Sequence, residues 1–342
     1  MKKFLYILVL LFSSLYSWAQ DPHFSQFFAS PLTLNPAYTG KFNGLWRLAV
    51  NHRDQWPTIP KAYVTTSASF DFPILKNFIP AGDVFGIGIS GLSDASADNI
   101  LRLNYGSLSL SYHRKLDEEG YNTIGAGFQG SYSSSTLDVN RLTFEDELTR
   151  NGFASGTSAE YHSANPIGTS TSYFDFNAGV LYSGSSNGIN NYYAGVSMYH
   201  INRPQVSFRQ NSNLYSAWYL TNRFSVHAGG SFPISDKVGV NISAIEQIQN
   251  SATESVIGGA LSLKANDVED NPTYIYGGAW VRLNDAVIPY LGLEFNGMKI
   301  GLSYDVTISD LRTANEGKGG AEFSIIYIKK PVEIKDIPCP KF

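Results

Sequence analysis

The stretch YLGLEFNGMKIGLSYDVT, residues 290–307, decides how the rest of the chain is read. Leu291, Leu293 and Phe295 alternate with Tyr290, Gly292 and Glu294. Beyond Asn296-Gly297, the residues Met298, Ile300, Leu302, Tyr304 and Val306 alternate with Lys299, Gly301, Ser303, Asp305 and Thr307. A period of two describes a strand with two unlike faces. Asn-Gly between two such runs signals a type I′ hairpin, because both residues accept positive φ. The second arm reaches the roughly 9–11 residues that cross a bilayer as a tilted strand.

Working outward, the same pattern recurs. Ile124, Ala126, Phe128 and Tyr132 oppose Thr123, Gly125, Gln129 and Ser131. Phe174, Phe176, Ala178, Val180 and Tyr182 oppose Asp175, Asn177, Gly179 and Ser183. Phe224, Val226, Ala228 and Phe232 oppose Ser225, His227 and Ser231. Strands are expected near 44–52, 62–72, 84–92, 100–114, 121–135, 171–183, 191–202, 217–232, 237–249, 254–265, 273–283, 286–296, 297–308 and 319–330. That is about 14, an even number, as bacterial outer-membrane barrels have. Parity slips between Tyr105 and Leu108, which suggests a bulge at Gly106. A soluble β-sandwich would also alternate, but it would carry charge on its outer face. Here the non-apolar face is mostly Gly, Ser, Thr and Asn. The expected fold is therefore all-β: a transmembrane antiparallel barrel over residues 44–330.

Composition agrees. Charged residues are 16% and aromatic residues 14%, with 31 glycines in 342 residues. The charged share is well under the roughly 25% of a soluble globular domain. A net charge of -4 gives no electrostatic case for nucleic acid. The single cysteine, Cys339, excludes an internal disulfide. After the first twenty residues no apolar run approaches the roughly 18 of a spanning helix. Residues 1–19 read as a signal peptide: Lys2 and Lys3, the apolar run Phe4 to Phe12, then Ser17-Trp18-Ala19 as a cleavage pattern.

Residues 20–43 read as neither helix nor strand, because Pro22, Pro31 and Pro36 interrupt regular backbone. Yet Phe24, Phe27, Phe28 and Tyr38 need burial, with Asn35-Pro36 beside them. The segment is expected to be a plug or lid for a lumen that about 14 strands would otherwise leave open. With the N-terminus and the C-terminal tail 331–342 in the periplasm, the longest gaps, 136–170 and 203–216, fall on the outer side, where long loops belong.

Other motifs read as structure. Gly86-Ile87-Gly88-Ile89-Ser90-Gly91 matches a dinucleotide fingerprint, but a polar loop follows where a helix is required. Gly184-Ser185-Ser186-Asn187-Gly188 matches a nucleophile elbow without the strand-to-helix context. The six histidines have no metal-ligand spacing, so no metal or cofactor is expected. His113 or His227 could face the lumen, but no serine stands out as a nucleophile, and no catalytic residue is assigned. Asp94 with Asp98, and Glu145-Asp146-Glu147, read as solvated carboxylates.

The opening Gln20-Asp21-Pro22-His23-Phe24-Ser25-Gln26-Phe27, with Pro31-Leu32 and Leu34-Asn35-Pro36-Ala37-Tyr38-Thr39-Gly40, resembles the PorP/SprF family of the type IX secretion system. So do Trp46-Arg47, Asn51-His52-Arg53-Asp54-Gln55-Trp56-Pro57, Ser67-Ala68-Ser69-Phe70-Asp71, Gly301-Leu302-Ser303-Tyr304-Asp305, Gly319-Gly320-Ala321-Glu322-Phe323 and the Cys-Pro-Lys-Phe end. The resemblance touches both ends; residues 132–271 are the least family-like. It implies an outer-membrane protein of gliding or adhesive Bacteroidota. Such a protein works with type IX translocon components and binds the C-terminal domain of a secreted surface protein, often an adhesin. It implies no catalysis. Asn35-Pro36-Ala37 also resembles the start of fatty-acid-transporter-like barrels, a weaker likeness.

Aromatic anchors in a polar rim suit a docking site. Phe144, Phe153 and Tyr161 in the long loop, joined by Trp56, Phe208, Tyr215 and Trp218 at outer strand ends, are the candidate partner-binding residues; an aromatic belt facing lipid headgroups explains Trp218 equally well. Two functions compete. An anchoring barrel predicts that deletion sheds cargo into the medium. A channel for a small apolar molecule predicts lost uptake with cargo still attached. An outer-membrane enzyme would need a triad that the sequence does not display.

Overall fold

The computed structural model describes residues 21–59, 62–163, 167–186, 188–209, 218–266 and 272–331. The signal-peptide reading, Tyr215 and Cys339 lie outside these residues. Five strands come first: β1 Trp46–Gln55, β2 Tyr63–Ile74, β3 Val84–Ser96, β4 Leu101–Lys115 and β5 Thr123–Leu137. A small hairpin, β6 Leu148–Thr149 and β7 Gly152–Phe153, stands in the loop after them. Then follow β8 Ser170–Ser186, β9 Asn190–Tyr199, β10 Arg223–Pro233, β11 Val238–Gln249, β12 Ala252–Lys264, β13 Tyr274–Arg282, β14 Ala286–Phe295, β15 Met298–Thr307 and β16 Lys318–Lys329. Leaving out β6 and β7, these 14 strands form one closed barrel in which neighbours in sequence are neighbours in space. Closure is made by β1 against β16, from Trp46↔Lys329 to Gln55↔Gly320. No strand edge is left to water or lipid, the condition for crossing a bilayer without helices. No helix among the described residues is long and apolar enough to cross a membrane.

The faces are inverted relative to a soluble protein. Leu291 is 65% exposed on the outside, and Leu108, Phe128, Phe174, Val226 and Leu302 are exposed with it. The buried, inward residues are Asn51, Asp71, Ser109, Ser111, His113, Gln129, Asn177, Ser197 and their like. The expected bulge at Gly106 is absent: β3 and β4 pair in register through Gly91↔Gly106. Tyr105 is simply a lumen residue, so parity never slips; an aromatic ring had been assigned to the lipid face by its type. The register shift falls instead between Asp305 and Val306 on β15. The hairpin at Asn296 and Gly297 has φ of 49° and 77°, as a type I′ turn requires.

The two ends of the barrel differ. The connections after β1, β3, β5, β9, β11, β13 and β15 share one end, and both the 138–169 and 200–222 loops are there. The other end holds the tighter connections, such as 234–237 and 296–297, together with the start of β1 and the end of β16.

The segment from Asp21 to Gly40 runs inside the lumen. It is three short turns in series: Phe27–Ala29, Pro31–Leu34 and Pro36–Tyr38. Two of its prolines open turns rather than merely breaking structure. Pro31 and Pro36 each occupy a first-turn position, where a missing N–H costs nothing. Leu32, Asn35, Ala37 and Thr39 have no exposed surface. The wall makes room with glycine. A Cβ at Gly127 would strike the backbone of Pro36 and Ala37, and one at Gly86 would strike the Thr39 carbonyl. The Gly86-x-Gly88 pair is thus a gap in the wall that admits a second backbone, not a phosphate cradle.

Gly127→Val should therefore displace the segment, at a cost of about 1–3 kcal/mol. The same change at lipid-facing Gly130, where a Cβ meets only the Phe176 ring at ordinary contact distance, should be tolerated. Protease access to residues 21–40, with β content followed by circular dichroism, distinguishes the two.

Candidate functional site

Strand alternation sends every second residue into the lumen, where burial of a polar group is costly unless it is bonded. The segment supplies the missing partners. Asn35 donates from Nδ2 to the carbonyls of Val180 and Val196, 3.1 Å each, and accepts from the Ala37 amide at 2.8 Å. Ser111 donates to the Thr39 carbonyl, and Ser197 to the Leu34 carbonyl at 2.9 Å. His113 lies 2.7 Å from the Ala37 carbonyl, and the His227 ring packs on Tyr38 at 5.5 Å. The lumen histidines wall the segment. No group of three metal-ligating side chains occurs among the described residues.

At its exit the segment is held by an ion pair. Arg47 donates to both oxygens of Asp71, at 3.0 and 2.8 Å, and to the Tyr38 carbonyl at 2.9 Å. Asp71 also accepts the Gly40 amide at 2.7 Å. Such two-pronged contacts fix geometry as well as energy.

Toward the long-loop end the contacts become ionic. Asp305 accepts from Arg53 at 2.8 Å, from Arg282 at 2.9 Å and from the Ser25 hydroxyl at 2.8 Å. Glu322 accepts the amides of Ser25 and Gln26, at 2.7 and 3.0 Å. His23 meets Glu254 at 2.7 Å. Asp21 accepts from Gln249, meets His200 at 2.6 Å, and lies 3.4 Å from Arg223. The other nitrogen of His200 meets Asp175 at 2.9 Å. Asp21, Asp175, Glu254, Asp305 and Glu322 thus face three guanidiniums and two imidazoles. Burial alone would lower the His200 pKa, but the Asp21 charge and its hydrogen bonds to Asp21 and Asp175 outweigh that and raise it to about 9. Burial alone would raise the Asp21 carboxyl, but the charges of His200 and Arg223 hold it well below the usual carboxylate range.

Asp21 itself stands at the end where the long loops are, so the segment threads the lumen from that end to the start of β1. Of the plug or lid residues expected from sequence, Phe24, Phe27, Asn35 and Pro36 are buried, and Phe28 and Tyr38 are half-buried in the lumen.

The candidate partner-binding residues divide. Phe153 is 53% exposed and Trp218 73%. Phe144 and Tyr161 are spent on each other, ring to ring at 5.5 Å and 90°. Trp56 packs on Tyr63, and Phe208 is half-buried with its carbonyl taken by Gly168. Leu148, the cross-strand partner of Phe153, and Tyr219 are further exposed large side chains at this end that sequence reasoning missed. Of the three acids read as solvated, Glu145 and Asp146 are exposed, but Glu147 is not. Glu147 is fully buried and accepts the amides of Phe144 and Gly156; Asp146 accepts Ser158 and the Ala159 amide. Glu160 pairs with Arg209 at 2.7 Å, tying the two long loops together. Asp94 and Asp98 do not share a site: Asp94 accepts from Thr65, and Asp98 pairs with Arg141 at 2.9 Å.

A closed barrel, apolar outside, polar inside and long-looped at one end, defines an outer-membrane protein. The sequence of residues 17–327 matches the family described as type IX secretion system membrane protein PorP/SprF, and the chain belongs to that family. No curated protein matches the chain. Among solved structures it is similar to a Pseudomonas aeruginosa FadL homologue (11% identity, TM-score 0.48, covering 87% of this chain and 94% of that one). It is also similar to the Ralstonia pickettii toluene transporter TbuX (9%, TM-score 0.44, 87% and 91%) and to the Neisseria meningitidis autotransporter NalP translocator domain (10%, TM-score 0.40, 84% and 88%). These are likenesses of fold.

A histidine whose pKa is raised on folding stabilises fully below its unfolded value of 6.5, and that stabilisation fades as pH climbs through about 9. Asp21, held low, contributes above the ordinary carboxylate range and stops contributing in acid. The unfolding temperature should therefore fall between pH 7 and 9.5. His200→Gln, which cannot be protonated, should start lower and show less of that fall.

Proposed function

We propose that this barrel anchors a secreted protein at the cell surface by binding its C-terminal domain. Membership of the PorP/SprF family makes the chain a type IX secretion outer-membrane barrel. What supports anchoring is the long-loop rim: Leu148 and Phe153 presented on a braced hairpin, with Trp218 and Tyr219 exposed at the same end of the barrel. Apolar side chains held out by an ordered polar loop have their ordering entropy already lost, so little more is lost on docking. The Asp21–Gly40 segment acts as a plug in this reading. It closes the lumen, so that cargo rests on the rim rather than passing through the barrel.

Tagged barrel purified from solubilised outer membrane should bring down a larger secreted protein through its C-terminal domain. Phe153→Ala with Trp218→Ala should reduce that recovery roughly tenfold or more, the scale of losing hot-spot anchors. A barrel that purifies alone, or one whose cargo is indifferent to both changes, would sink the reading.

A further inference from the structure

Between the plug segment and the short-turn end of the lumen lies a cavity of about 320 Å³. Phe28 and Ala29 contribute to it from the segment, and strands β9 to β16 contribute the rest. Three rings form one side. Phe28 lies 4.8 Å from Trp280 and 5.5 Å from Tyr290, and Trp280 lies 5.4 Å from Tyr290 at 84°. The volume and the aromatic lining are those of a small-molecule site.

One polar atom in this wall is unmatched, and one cation beside it lacks a hydrogen bond. The Lys299 ammonium stands 3.9 Å over the Tyr276 ring. Its cross-strand neighbour Glu294 is taken by the Tyr276 hydroxyl, which donates at 2.6 Å. Among the described residues the ammonium has neither a hydrogen bond nor a salt bridge. Asn241 on β11 also lines the cavity, and its side-chain nitrogen is buried with no acceptor. The Trp280 indole, by contrast, donates to Ser243 at 3.0 Å. A buried amide donor without an acceptor, as at Asn241, is rare and costly in a folded chain, and the half-buried Lys299 adds a cation beside it. Here a cation and an amide donor face an apolar space inside a membrane-embedded wall.

We propose that this cavity binds an amphipathic monoanion, an apolar chain or ring bearing one carboxylate. The carboxylate pairs with Lys299, the body lies against Phe28, Trp280 and Tyr290, and Asn241 offers a second donor. A cation is disfavoured by the ammonium, and a sugar by the rings' lack of acceptors. On the long-loop side the segment and its ionic contacts close the lumen, so the site is a blind pocket reached from the short-turn end rather than part of a through-channel. Its occupant touches Phe28 and thereby holds the plug segment in place. This assignment does not depend on the anchoring reading.

The test uses the full-length barrel in nanodiscs, with empty nanodiscs as blank. Sodium dodecanoate, its methyl ester and 4-butylbenzoate are titrated, followed by tryptophan fluorescence and calorimetry. Saturable binding of an acid is expected, weakened roughly tenfold or more by Lys299→Met and largely kept by Lys299→Arg, as loss of one charged hydrogen bond implies. The ester should bind weakly and equally to both forms. Preference for dodecanoate points to an acyl source, and preference for butylbenzoate to an aromatic acid; either supports the site. Absence of saturable binding by both acids, an ester as tight as its acid, or a Lys299→Met barrel that binds unchanged would overturn it. Should Lys299→Met fail to fold, the acid–ester comparison on the unaltered barrel decides alone.

Discussion

The constraint on which this structure depends is that a membrane barrel turns its apolar face outward and leaves its polar face with nothing to bond. Fourteen strands enclose a lumen too wide for their own side chains to span. The Asp21–Gly40 segment resolves both problems together. Its backbone and short polar side chains satisfy Ser111, Ser197, Glu322 and Asp305, and its Phe and Leu side chains fill the remaining space. The ionic contacts carry a second consequence. A buried charge pair is weak as a source of stability but strong as a device of specificity, because removing either partner strands the other. Asp305, held by Arg53, Arg282 and Ser25, therefore fixes where the segment sits more than how stable the barrel is.

The two ends of the barrel carry different features. At one end, Glu147 turns inward onto the amides of Phe144 and Gly156 and braces the hairpin, while Leu148, Phe153 and Trp218 are exposed. At the other end, an aromatic cavity opens behind the plug. The segment lies between them and touches both, through His23 and Asp21 above and Phe28 below. In the reading advanced here, the rim meets protein and the cavity meets a small anion, and the plug keeps the two apart.

The strand pattern was legible because a period of two with Gly, Ser and Thr on the quieter face has few explanations. The fourteen barrel strands lie near their expected places, although β10 begins at Arg223 rather than at 217. Tyr105 was misplaced because residue type was taken for facing. Glu147 was misjudged because an acid in a polar loop is usually solvated, and nothing local marks one that collects two amides. The aromatic rim was half legible. Phe153 and Trp218 are free, but Phe144 with Tyr161, and Trp56 with Tyr63, satisfy each other, and pairing between rings distant in sequence leaves no trace in composition.

By itself the sequence determined the closed antiparallel barrel, the need of the proline-broken N-terminal segment for burial, and the family, because alternation, turn chemistry and local motifs are properties of short stretches. Only the tertiary structure decided that this segment threads the whole lumen from the long-loop end, and that carboxylates from five parts of the chain converge with three arginines around it. It alone showed that Lys299, Asn241 and Phe28 share one cavity. The physical reason is that barrel closure brings inward residues together across a lumen, and those distances are set by strand number and register rather than by separation along the chain.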